Sequence, residues 1–114
     1  MKIKYLDKEI ELLYSFRSNI YFEQIQGKNI DFAQFTANDV LVLFYCIFIA
    51  TLQKNKMPIV SLDDFMDIID ENGGEKSFVN FSSWYIETVK KQYEIMNDME
   101  DEKPKKEKGK KNKN

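Results

Sequence analysis

The side chains able to do chemistry gather in four places. The first is a run of carboxylates, Asp63, Asp64, Asp67, Asp70 and Glu71. A calcium loop needs the D-x-[DN]-x-[DN]-G spacing, and no register here supplies it. Acids at 63 and 64 suit instead the positive end of a helix that starts near Leu62, and the others read as its solvated face. The second is Gly73-Gly74-Glu75-Lys76-Ser77. It has the residue types of a phosphate-binding loop but not the G-x-x-x-x-G-K-[ST] order, and no buried strand precedes it. The third is Cys46, the one thiol, set inside an apolar run. With no histidine in the chain to activate it, it reads as packing. No carboxylate pair stands out for acid–base work. No catalytic residue, cofactor-binding residue or metal ligand is therefore assigned, and a non-enzyme is expected.

The fourth place is the C-terminal end. Seven Lys and one Glu leave +6 in residues 103–114, while the remaining ten cations and eighteen acids leave −8 in residues 1–102. A lysine run of this kind can act as a nucleic-acid arm. It carries no Arg or aromatic residue to stack on bases, so a solubilising tail is the preferred reading. The acidic body lacks the cationic surface that drives non-specific nucleic-acid binding. A nucleic-acid-associated accessory or regulatory protein working through the tail is the alternative function.

These groups must be positioned by a small body. Hydrophobic residues make up 43% of 114 residues, and nine Phe, six Tyr and one Trp supply bulk for a core. One cysteine forms no disulfide within the chain, which fits a reducing compartment. Without histidine, a structural zinc site is not expected. No basic segment followed by an apolar h-region opens the sequence, so no signal peptide is expected.

The centre of the body is Thr36 to Gln53. From Val40 to Ala50 only the Tyr45 phenol interrupts the apolar residues. The run is short of the ~20 residues that cross a bilayer, and an all-round apolar helix of this length belongs in a protein core. Thr36 and Asp39 give it a T-x-x-D start with Phe35 and Val40 at the staple positions; Lys54–Lys56 and Pro58 end it.

The other elements pack around this helix. Alternation through Ile3, Tyr5, Ile10, Leu12 and Tyr14, with a turn at Leu6–Lys8, predicts an N-terminal β-hairpin with one buried face. Ser15 caps a helix from Phe16 to Gln26 whose apolar positions are Phe16, Ile20, Tyr21, Phe22 and Ile25, and Gly27 ends it. Residues 28–35 form an extended connection. Ser61 and Asp64 repeat the capping pattern, with Val60 and Phe65 as staple, before a short helix over 62–71. Its predicted buried face is Leu62, Phe65, Met66 and Ile69, and Asn72-Gly73-Gly74 stops it. A last helix runs from Phe78 to Met99, with one stripe through Phe78, Phe81, Tyr85, Val89, Tyr93 and Met96, widened by Ile86. The fold class is α+β, mainly α: a hairpin on a bundle of about four helices around a central buried helix. Residues 1–99 are expected to form one globular domain, and 100–114 a charged, Lys-rich disordered tail.

A thinner line on the last helix reads Trp84, Thr88, Lys91, Ile95. Trp84, Ile95 and Met99 are the candidate partner-binding residues, as an exposed apolar patch; burial of Trp84 in the core is the competing reading.

Several stretches, taken together, resemble the tail assembly chaperones of long-tailed bacteriophages. Lys8-Glu9-Ile10-Glu11-Leu12 is similar to the second strand of that family's N-terminal hairpin. Ser15-Phe16-Arg17, followed by Tyr21-Phe22-Glu23-Gln24-Ile25-Gln26-Gly27-Lys28, resembles its Phe-Glu-x-x-x-Gly-Lys helix end. Thr36 to Gln53, with Leu43-Phe44-Tyr45-Cys46, resembles the next helix, and Asn72-Gly73-Gly74 and Trp84-Tyr85-Ile86 follow in order. The resemblance covers about residues 2–99 and leaves out the Lys-rich end. It implies a small, mostly helical, non-enzymatic protein of the host bacterial cytoplasm. Such a protein binds the tape-measure protein and keeps it soluble while the tail tube assembles. It implies the tail tube protein as a further partner and self-association along the tape measure, with no membrane. Helix-in-groove contacts, weak singly and strong by repetition along one rod, would serve that role.

Overall fold

A computed structural model of the chain describes the backbone of residues 1–101 and the side chains of residues 1–95. Of the expected tail, 100–114, the first two residues continue the last helix, and residues from 102 onwards lie outside the described residues. The order is a β-hairpin followed by four α-helices, with a short 3-10 turn ahead of the second. The fold is α+β and mainly α. Residue contacts divide it into two units, Met1–Trp84 and a second that begins at Tyr85.

Strands β1 (Lys2–Tyr5) and β2 (Lys8–Glu11) pair antiparallel, with Ile3 opposite Ile10. Leu6 and Asp7 both take positive φ, 53° and 60°. A two-residue loop of this hand matches the twist of the strands it joins. Ile3, Ile10 and Leu12 are buried, so the alternation does define the inner face. A lone hairpin is marginal in water. This one is docked: the Lys4 N–H donates to Asn72 Oδ1 (2.8 Å), Asn72 Nδ2 donates back to the Lys4 carbonyl (3.0 Å), and the Leu13 N–H donates to Thr51 Oγ1 (3.1 Å).

Helix α1 (Phe16–Gln26) starts at Ser15, whose hydroxyl accepts from the Ser18 N–H, and ends at Gly27 in the left-handed region, φ 70°. Its buried side does not follow its apolar positions. Ser18 and Phe22 are buried, whereas Phe16 is 78% exposed and Ile25 is half exposed. Ser18 occupies the inner side because its hydroxyl is satisfied locally, donating to the Ser15 carbonyl (2.6 Å). The expected extended connection contains a 3-10 turn, Phe32–Gln34. It brings Phe35 onto Phe22, the rings stacked with centroids 5.0 Å apart.

Helix α2 (Ala37–Lys54) is the core helix. Residues 42–44 and 46–52 are buried. By length and composition it could cross a membrane, but 67% of it is buried inside the protein. Tyr45 is tolerated in the apolar run because its hydroxyl reaches the Val60 carbonyl (2.6 Å). The helix ends in paired bonds, Met57 N–H to Leu52 O and Lys56 N–H to Gln53 O, with Lys56 itself at φ 59°. This is the Schellman arrangement, here closed by a lysine where glycine is usual.

Helix α3 (Leu62–Glu71) lays Phe65 against α2, its ring edge-on to Phe44 at 5.0 Å and 5.3 Å from Phe48. The face inferred from sequence is turned slightly. Ile68 is buried beside Phe65 and Ile69, and Met66 is 38% exposed. Asn72 ends α3, and Gly73 and Gly74, at φ 108° and 58°, make the turn. Helix α4 (Glu75–Asp101) restarts at once, three residues earlier than Phe78. In the first unit it buries Phe81, which stacks on Phe44 with centroids 4.2 Å apart. In the second unit Tyr85 is buried, Val89 is half-buried, and the inferred stripe has ended by Tyr93, which is 63% exposed.

Candidate functional site

The groups singled out for chemistry lie apart. The five carboxylates of α3 are exposed along that helix, with Ser61 accepting the Asp64 N–H (3.1 Å) as its cap. Among the described residues no three of His, Cys, Asp or Glu come together in a group able to hold a metal ion. Gly73 and Gly74 form a helix break, and the Gly74 N–H is spent on the Ile69 carbonyl (2.8 Å). Cys46 is fully buried, and burial pushes its thiol up to about 12. At neutral pH it is therefore a protonated packing group, not a thiolate nucleophile.

One carboxylate is different. Asp39 is buried, and both of its oxygens are occupied. Lys28 Nζ donates to Oδ2 at 2.7 Å, the Thr36 N–H at 2.9 Å and the Thr36 hydroxyl at 3.1 Å, while Gln26 Nε2 donates to Oδ1 at 2.8 Å. The Lys28 ammonium first, then the Thr36 N–H, holds this carboxyl well below the usual carboxylate range. The capping box was legible in the sequence; the reach of Gln26 and Lys28 across the turn was not. The cluster ties the end of α1 to the start of α2 and leaves no oxygen for a ligand.

Exposed apolar residues occur along the chain, Leu6, Phe16, Ile25, Ile59 and Val79 among them, and two parts of that surface concern binding. Trp84, the last residue of the first unit, is half-buried, its ring tilted at 5.9 Å from Phe81. In the second unit Ile86 is 45% exposed and Ile95 is 54% exposed. The Met99 side chain lies outside the described residues.

The other part was missed in the sequence. An open groove of about 530 Å³ lies within the first unit, where the first turns of α2, the body of α3 and the start of α4 meet. Leu41, Met66, Ile69 and Phe78 supply its apolar surface, and Asp70 and Glu75 its carboxylates. No family model, curated protein or solved structure matches this chain. The site therefore has to be read from its own residues. One signal in the sequence pointed to the groove. Apolar residues at 62, 65, 66, 68 and 69 cover more than one line on a ten-residue helix, so some of them face away from the core.

Among the described residues, neither part brings an activated nucleophile, a facing acid–base pair or a metal cage together. What the arrangement offers is apolar surface beside free carboxylates, which suits the binding of another polypeptide.

Proposed function

We propose that the chain is a non-enzymatic tail assembly chaperone of a long-tailed bacteriophage. It acts in the host bacterial cytoplasm and binds the tape-measure protein until tail tube subunits replace it. The observation that carries this reading is apolar surface left exposed on α4: Ile86 and Tyr93 stand open to water on one side of the helix and Ile95 on another. A tape measure rich in long amphipathic helices needs such surface to cover its own. The stretches that resemble the family support the same reading: the hairpin, the Gly27-Lys28 helix end, the central helix and the Asn72-Gly73-Gly74 break are all structural punctuation of this fold. Many copies along one rod would bind by avidity, and single contacts weak enough to break would allow release.

The test is a pull-down of the full chain from infected cells, with identification of the largest bound protein. A long helix-rich tape measure is expected. Trp84→Ala is expected to weaken that co-purification while the thermal melt stays nearly unchanged. Recovery of DNA instead, lost in high salt and on deleting residues 103–114, would overturn the proposal in favour of a nucleic-acid accessory role.

A further inference from the structure

We infer that the groove between α2, α3 and the start of α4 seats a cationic amphipathic helix, its apolar stripe on Leu41, Met66, Ile69 and Phe78 and its flanking Lys or Arg residues on Asp70 and Glu75. The inference rests on the reading above that the chain covers helical segments of a partner, and it adds a second contact, separate from the exposed α4 residues, with its own chemistry.

Three observations select this occupant. The floor is apolar and comes from three helices, so it presents side chains at helical spacing. An amphipathic helix answers such a floor with anchors at i, i+3, i+4 and i+7. The walls carry charge of one sign. Asp70 and Glu75 line the groove, no Lys or Arg lines it, and neither carboxylate has an ion-pair partner among the described residues. Helix α3 extends this wall, since its ten residues hold five acids and no cation; Asp63 sits one turn before Met66 and Asp67 one turn before Asp70. Lys76 is the nearest cation on α4, and it is not among the lining residues. Nor do the described residues close the groove. Met66 remains 38% exposed, and Leu41 and Phe78 are only half-buried, although all three are large apolar residues in a body with a well-filled core. A polyanion or an acidic peptide would meet like charge along one wall, which selects against it. The Lys-rich end of the same chain has the right charge but no apolar residue to fill the floor.

The experiment is a fluorescence-anisotropy titration of the full chain with labelled synthetic peptides of about 18 residues, long enough to form a helix. One peptide has a Leu stripe flanked by Lys, a second has the same stripe flanked by Glu, and a third has the same Lys content with Ser in place of Leu. The Leu/Lys peptide is expected to bind at least about tenfold more tightly than either of the others, through combined apolar and charge complementarity. Asp70→Asn with Glu75→Gln, both isosteric and exposed, is expected to weaken it about fivefold and to flatten its salt dependence. Met66→Lys is expected to abolish it, while Trp84→Ala leaves it unchanged. Binding of either control peptide as tight as that of the Leu/Lys peptide overturns the inference. So does full affinity in the doubly neutralised chain, which is expected to keep the wild-type melt and so does not depend on Met66→Lys folding. Loss in Trp84→Ala with retention in Met66→Lys would move the site to α4, overturning the groove while leaving the chaperone role standing. Peptide binding at the groove without recovery of a tape measure from infected cells would do the reverse.

Discussion

Two helix starts in this chain carry nearly the same sequence device and end in different physical states. Thr36-x-x-Asp39 opens α2, and Ser61-x-x-Asp64 opens α3. At the first, both halves of the capping box form, and Gln26 and Lys28 arrive from the end of α1 to complete the Asp39 carboxylate. At the second, only the Ser61 hydroxyl bond to the Asp64 N–H forms, and Asp64 stays exposed. The local signal was equal; the difference is what the fold delivers from elsewhere. Where cations and amides converge, a carboxylate is consumed by structure. Where none arrives, the acids of α3 remain free, and the groove beside them can use that charge.

The two starts should differ most at Asp39. Asp39→Ala leaves the Lys28 ammonium, the Gln26 amide and the Thr36 N–H without their acceptor. It should lower the thermal midpoint by several times more than any change at the second start, as read by a circular-dichroism melt. A drop no larger than that of Ser61→Ala would mean that the cluster is ornamental.

The same carboxylate gives a pH signature. Its folded pKa is depressed, so its contribution to stability is complete above the ordinary aspartate value of about 4 and is lost as pH falls from there toward the depressed folded value. Urea unfolding at steps from about pH 7 to about pH 3 should show stability falling more in the wild type than in Asp39→Asn, which has no charge to lose there. Parallel curves would contradict the account of the first start.

Smaller effects follow at the second start. Ser61→Ala should cost about 1 kcal/mol in urea unfolding, the usual value of a single side-chain cap. Asp64→Asn should change stability by less than about 0.5 kcal/mol, as expected for an exposed residue without a partner. A loss above that for Asp64→Asn would show that the second box closes in solution after all.

Punctuation was the legible part of the fold. The hairpin, the Ser15, Thr36 and Ser61 caps, the Gly27 stop and the Asn72-Gly73-Gly74 break were readable because each is decided by residues within a few positions of one another. The central helix was readable because an all-round apolar run has only one comfortable place. What could not be read was orientation. The apolar positions of α1 did not say which of them face inward: Phe16 and Ile25 are exposed while Ser18 and Phe22 are buried, since a satisfied serine hydroxyl can occupy an interior position that apolarity alone would not give it. Lys28 and Asp39 stand eleven positions apart across an irregular turn, a separation no periodicity links. The groove eluded the sequence for a related reason: its residues come from three helices, and each looked like core on its own helix. Trp84 and Ile95 were marked for exposed surface, and they are half-buried and exposed respectively.

Backbone amide and methyl NMR of the full chain, titrated with the Leu/Lys helix, locates the docking surface residue by residue. Shift changes concentrated at Leu41, Met66, Ile69, Gly74 and Phe78, with Trp84 and Ile95 still, are the predicted result. Changes confined to Trp84 and the residues after it, with those five positions silent, would contradict the account.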